Sequence, residues 1–131
     1  MFEGDSGVRM GTSSWSEKSW VGSFYPEETA PADFLKHYSL RYDTVEIDST
    51  YYATPRDSTV KNWRTRTPDQ FLFTAKVPRE ITHERVLVEA RESMEIFVET
   101  MQWLGEKLGP LLLQFPYFNR NTFSGPAPFL K

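Results

Sequence analysis

Four short apolar runs, separated by stretches long enough for a helix, constrain what this chain can fold into more than any other feature. They occupy residues 8–11, 44–49, 71–77 and 111–115, and the last two are each closed by a proline. Between them a first helix is expected from Pro31, a favoured first-turn residue, with Phe34, Leu35 and Tyr38 on one face. Asp57 or Ser58 is placed to cap a second helix carrying Val60 and Trp63. The clearest helical pattern covers residues 92–107, with Met94, Phe97, Val98, Met101 and Leu104 in one stripe. The tail, 121–131, reads as a loop entering another helix. Strand–helix repetition at about 30 residues implies parallel strands joined by right-handed crossovers. The expected fold class is therefore α/β: a TIM-like (β/α) barrel of which the chain supplies only the N-terminal half, about four β/α units, since a full barrel takes about 250 residues. Residues 1–131 form a single partial domain on this reading. A doubly wound open sheet is the alternative, but no Gly-rich phosphate loop follows the first run.

Side chains alternate across a strand, so each run assigns its own faces. Val45 and Ile47 oppose Glu46 and Asp48. Phe71, Phe73, Ala75 and Val77 oppose Thr74 and Lys76. Val8 and Met10 oppose Arg9 and Gly11, and Leu111, Leu113 and Phe115 oppose Leu112 and Gln114. Parallel strands covered on both sides usually read as unbroken apolar runs. Here the apolar faces are expected beneath helices, and Arg9, Glu46, Asp48, Thr74, Lys76 and Gln114 on a barrel lumen. Lone buried charges are costly, so Glu46 should pair with Lys76 and also lie near Arg9. One outcome is a structural ion network. The other is a polar site at the C-terminal ends of the strands, where barrel enzymes carry their chemistry.

Composition removes several classes. The chain contains no cysteine, which excludes disulfides, thiolate metal sites and cysteine nucleophiles. Fifteen basic and eighteen acidic residues give a net charge of −3, which argues against wholesale polyanion binding. No apolar run approaches the roughly 20 residues of a membrane helix. The acidic, Gly-rich start is wrong for a signal peptide, so the expected setting is the cytoplasm, without membrane attachment.

The segments past the strand ends carry a family resemblance. GTSSW at 11–15, VEIDSTYY at 45–52, FTAKVPREITH at 73–83 and LLLQFP at 111–116 stand in order and together resemble the YecE-like family, domain of unknown function 72. The resemblance implies a TIM-like barrel with a site in this polar cleft and no established activity. It covers nearly the whole chain but only the N-terminal half of the family pattern. The later acidic and Arg/Trp motifs of that pattern are absent from these residues, so a site shared between halves would be incomplete. Ser14 stands where the pattern has glycine, which implies a tight or strained first loop. Asp48 stands where it has asparagine, which adds a negative charge.

The candidate catalytic residues are Glu46, Asp48, Lys76 and His83. The candidate substrate-binding residues are Thr12, Ser13, Trp15, Ser49, Tyr52, Arg79, Thr82 and Gln114. Glu46 and Asp48, two apart on one strand face, are placed with His83 to offer oxygen and nitrogen ligands to a divalent metal, although nothing in the sequence demands one. The plainer role for His83 is a hydrogen bond beside Thr82 that orders the loop. Asp48 suits general acid or base work if its surroundings raise its pKa. Arg79 has the fork geometry to grip a phosphate or carboxylate. Residues 56–91 carry eight basic against five acidic residues, with Tyr51, Tyr52 and Trp63 nearby. That pattern fits phosphate or nucleic-acid binding, or simply a solvated helix face. Trp15, Trp20, Phe24 and Tyr25 are expected to pack the first loop over the barrel mouth, and Met94, Met101 and Trp103 to be core. Two functions fit: an enzyme, hydrolase or isomerase, on a phosphorylated sugar or nucleic-acid-related substrate, or a non-catalytic ligand- or nucleic-acid-binding barrel. An inactive fragment is a third. A half-barrel leaves open edges, so self-association or the complementary half is expected for stability.

Overall fold

The computed structural model describes residues 7–119, 121 and 125. The helix expected in the tail lies outside the described residues. A 3-10 turn, Pro31–Asp33, leads into α1 (Phe34–Ser39), and then β1 (Thr44–Ile47), α2 (Asp57–Thr65), β2 (Leu72–Lys76), α3 (Arg91–Met101) and β3 (Leu108–Leu112) succeed one another. The strands form one parallel sheet in the order β1-β2-β3, with Val45 opposite Phe73 and Ile47 opposite Ala75. The β2–β3 register slips between Phe73 and Ala75, so Ala75 faces Leu111 and Lys76 faces Leu112. This is the α/β alternation that the spacing predicts.

Periodicity reads the faces correctly in the two central strands. Val45, Ile47, Phe73 and Ala75 are buried, while Glu46, Thr74 and Lys76 on the other face are only half-buried. Phe34, Leu35, Tyr38, Val60, Trp63, Phe97, Met101 and Leu104 pack onto the apolar face and complete one core.

The first run behaves differently. Val8 and Met10 are 73% and 54% exposed, and residues 8–11 form no strand. Pairing begins one step later: Ser13 bridges Glu46 in parallel, with the Glu46 amide donating to Thr12 O and the Ser14 amide to Glu46 O. Gly11 sets this offset. A Cβ there would stand 2.0 Å from the Thr44 carbonyl oxygen, so only glycine allows the backbones this close. The Tyr38 hydroxyl fills the junction. It accepts from the Thr12 amide at 2.7 Å and lies 3.1 Å from Thr44 O, to which it can donate. Arg9 is thereby held at the opposite end of the sheet from Lys76, donating to Gln70 O at 2.8 Å and pairing with Asp43 at 3.5 Å, rather than approaching Glu46.

The last expected helix also divides. α3 stops at Met101, a 3-10 turn carries Gln102–Lys107, and Gly105 at φ 59° turns the chain into β3 three residues earlier than expected. Helix propensity and the apolar stripe continue through this segment, but a residue with positive φ cannot continue the helix. Trp103 consequently faces outward, 44% exposed, with the Lys61 ammonium 3.6 Å from its ring centroid, and is not core. Lys107 is 8% exposed and donates to Arg64 O, Thr67 O and Thr67 Oγ1, closing the C-terminal end of α2. Burial lowers its pKa, with Asp69 opposing and Arg64 adding to the effect. At the start of α2 the cap position is Arg56, whose side chain makes no capping bond, and Asp57 lies in the first turn.

The aromatic loop joins the helix-side core instead of covering a barrel mouth. Trp15 meets Trp63 and Phe73 edge-on at 5.5 and 6.3 Å, and Tyr25 stacks on Phe34 at 4.7 Å. The Tyr25 hydroxyl donates to Trp15 O, and burial, with Tyr38 adding, pushes its pKa well up. Tyr38 is raised by burial as well, although its bonds with Thr12 pull the other way. Among the described residues, no strand flanks the outer edge of β3 or the free side of residues 12–14.

Candidate functional site

The chain leaves each strand of the sheet at the same end, and polar side chains stand just beyond the strands there. After β1, Asp48 precedes a 3-10 turn, Ser49–Tyr51, that sets Tyr51 and Tyr52 edge to face at 5.2 Å. The turn is anchored by Thr50, which is 1% exposed and donates from Oγ1 to Lys76 O at 2.6 Å. This bond ties the end of β1 to the end of β2. After β2, Pro78 leads into a π-helical turn, Glu80–Glu84, with the Arg85 amide bonded to Glu80 O. The wider turn carries Thr82 inward, fully buried, and His83 beside Tyr51, their rings perpendicular at 5.3 Å. Thr82 Oγ1 lies 2.8 Å from His83 Nδ1.

Asp48, Tyr51, Tyr52, Lys76, His83 and Gln114 together line a cleft of about 200 Å³ at this end of the sheet. Lys76 Nζ stands 3.6 Å from Glu46 Oε1, and Ser13 Oγ approaches the same oxygen at 3.4 Å. The expected Glu46–Lys76 pair therefore forms. Its spacing exceeds the 2.7–2.9 Å of a tight charge-assisted hydrogen bond, so the ammonium keeps donors to offer. Asp48 is the one carboxylate among the residues lining this cleft.

The remaining candidates lie elsewhere or have other partners. Thr12 Oγ1 contacts Ser14 O at 2.8 Å and Tyr38 Oη at 2.9 Å, in the junction beside Gly11. Trp15 belongs to the helix-side core. Ser49 is exposed at the start of its turn. Arg79 is half-exposed and pairs with Glu84 at 3.5 Å. Thr82 reaches His83 rather than open space. Among the described residues no three carboxylates or histidines are gathered for a metal ion, so Glu46, Asp48 and His83 do not form a ready-made ligand set. The basic residues of 56–91 divide: Arg66 pairs with Asp33 at 3.1 Å and Arg85 with Glu80 at 3.1 Å, while Lys61, which covers Trp103, and Arg64 line a separate cleft of about 1080 Å³ with Arg9 and Lys107. No described helix is long and apolar enough to cross a membrane. Sequence reasoning named Tyr51 only as a nearby aromatic and left Thr50 out of the site. The signal for both is a Ser-Thr-Tyr-Tyr step directly after an apolar strand.

Comparison with known proteins finds relatives in sequence and in structure. The chain is 29% identical over 109 residues to UPF0759 protein YecE of Escherichia coli strain K12, covering 83% of this chain and 38% of that protein. It is 30% identical over 115 residues to UPF0759 protein YunF of Bacillus subtilis strain 168, covering 83% and 40%. It thus spans well under half the length of these relatives. Among solved structures, a DUF72 family protein from Thermotoga maritima superposes with a TM-score of 0.72 at 32% identity, covering 92% of this chain and 50% of that one. Another from Enterococcus faecalis gives 0.64 at 27% identity, covering 82% and 39%. The profile of the family described as protein of unknown function DUF72 matches residues 9–125, and the chain belongs to that family.

Proposed function

We propose that the cleft at the strand ends binds a small phosphate ester, a phosphorylated sugar or nucleotide fragment, and that the sheet is one half of a closed TIM-like barrel. The observation that carries the binding reading is the composition of the cleft lining. Lys76, His83 and Gln114 supply donors for an anionic group. Tyr51 and Tyr52 supply apolar ring surface for a sugar or base, and Asp48 supplies an acceptor for ligand hydroxyls. One lysine and no arginine line this cleft, which favours a small ligand over a polynucleotide there. Hydrolysis or isomerisation of the ester fits this lining, with Asp48 as the proton-transfer group.

A second reading, binding without turnover, is favoured by one feature. Glu46 is not among the residues lining the cleft, so the cleft lacks the second carboxylate that paired acid–base chemistry uses. The barrel reading is supported by the sequential parallel order of the strands, the two edges left unpaired among the described residues and a structural relative of about twice the length. On that reading a second copy, or a complementary half, closes the wall of the cleft.

Calorimetric titration with glucose 6-phosphate and with glucose tests the binding reading. The phosphate ester is expected to bind more tightly than the free sugar, and Lys76→Met to weaken it about tenfold. Equal or absent binding of both sugars overturns the reading. Mass spectrometry of the incubated ester separates turnover from binding alone.

A further inference from the structure

A buried hydroxyl stands against one ring nitrogen of His83. Thr82 is 0% exposed, and among the described residues its hydroxyl has one side-chain partner, His83 Nδ1 at 2.8 Å. Two arrangements satisfy that distance. In one, Oγ1–H donates to a bare Nδ1, and the ring proton sits on Nε2. In the other, Nδ1–H donates to Oγ1, and the hydroxyl hydrogen must find another acceptor inside the protein. The neighbouring Pro78 carbonyl already receives the Ile81 amide at 2.9 Å and the Thr82 amide at 3.4 Å. A buried donor left unpaired is penalised enough to bias the two tautomers by at least about tenfold. The Tyr51 ring, perpendicular to the imidazole at 5.3 Å, fixes the ring plane. With Nδ1 taken up by Thr82, Nε2 is the nitrogen left to the cleft that His83 lines.

We infer that Thr82 holds neutral His83 as the Nε2–H tautomer, and that His83 therefore serves the cleft as a hydrogen-bond donor to an anionic oxygen of the ligand, a phosphate or a carboxylate. In this tautomer Nε2 has no lone pair in the ring plane, so it neither accepts a substrate proton nor ligates a metal. Thr82 is a positioning residue that acts through His83, and Asp48 is left as the acceptor of the cleft. The tautomer stands on local geometry alone. The identity of the ligand group rests on the phosphate-ester binding role proposed for the cleft.

Two-bond ¹H–¹⁵N correlation spectra of the whole chain at pH 8, where histidine is largely neutral, read the tautomer directly. The chain has two histidines, and the spectrum of His83→Asn assigns the signals. The expected result is a protonated Nε2 and a bare Nδ1 for His83. Thr82→Ser should preserve it, and Thr82→Val should shift it towards a mixture. A dominant Nδ1–H form in the unaltered protein overturns the inference. Adding inorganic phosphate or acetate then identifies the ligand group. Movement of the Nε2 signal with phosphate supports a phosphate site, and movement with acetate alone supports a carboxylate site. Movement with neither overturns the anionic-oxygen role and the proposed phosphate-ester function, while the tautomer result shows separately whether Thr82 orients His83.

Discussion

Ser14 is the residue at which family pattern and local strain meet. It adopts φ 66°, the left-handed region that L side chains enter at a cost, where the family resemblance places glycine. Its hydroxyl offsets part of that cost by accepting from the Ser16 amide at 3.1 Å. Ser14→Ala removes the bond and keeps the strain, whereas Ser14→Gly removes both. Glycine at this position is therefore expected to be more stable than alanine by about 1 kcal/mol in urea unfolding. Tyr25 sets a second expectation, with an opposite dependence on conditions. Its phenol is 1% exposed and stays protonated in the fold to well above the pH of about 10 at which an unfolded tyrosine ionises. Its contribution to stability is complete below pH 10 and declines above it, by about 1.4 kcal/mol per pH unit for one proton. The stability difference between the unaltered protein and Tyr25→Phe should shrink by about 1 kcal/mol from pH 10 to 11, where the unfolded phenol is only partly ionised at the start, as read by chemical denaturation. A constant difference would show that the hydroxyl is not held protonated.

Among the elements, those with strict periodicity were legible in the sequence. β1 and β2 alternate apolar and polar residues without interruption, and α1 presents Phe34, Leu35 and Tyr38 on one face, so their place and orientation follow from pattern. The first run misled because Val8 and Met10 alternate like strand residues while Gly11 permits a close approach to β1 that shifts the pairing to Ser13. That contact is made with Thr44, far along the chain, and no local pattern encodes it. The helix written across residues 92–107 ended early because Gly105 turns at positive φ inside an otherwise continuous stripe. In the site, Asp48, Lys76, His83 and Gln114 were legible as polar residues at strand ends, whereas the diversion of Arg79 to Glu84 and of Thr12 to Tyr38 depends on three-dimensional neighbours. Lys107 shows how strongly one such neighbour acts, since its ammonium gathers the carbonyls of Arg64 and Thr67 beneath α2. Lys107→Met leaves those acceptors buried without a donor, and a loss of about 1–3 kcal/mol is expected in thermal or urea unfolding. An unchanged midpoint would mean that water replaces the amine without cost.

At the scale of the whole molecule, the sheet presents a polar ladder of Glu46, Thr74 and Lys76 on one face and closed helices on the other. If the sheet is half of a barrel, as proposed, sedimentation velocity is expected to show a species of two chains, since pairing would supply the other half of the wall. A monodisperse monomer of full stability would remove the need for a partner. Among the described residues the two outer sides of the sheet are unlike: one is the short glycine-led stretch at residues 12–14, the other the five-residue β3, which contains Pro110. Two unlike edges join head to tail. With a twofold rotation the joint closes after two copies into a ring. With any slight error of rotation each new copy leaves one edge exposed, and the same contact propagates as a filament. Closure and fibre growth are thus two outcomes of one geometry, separated by the angle at which the β3 of one copy meets residue 13 of the next.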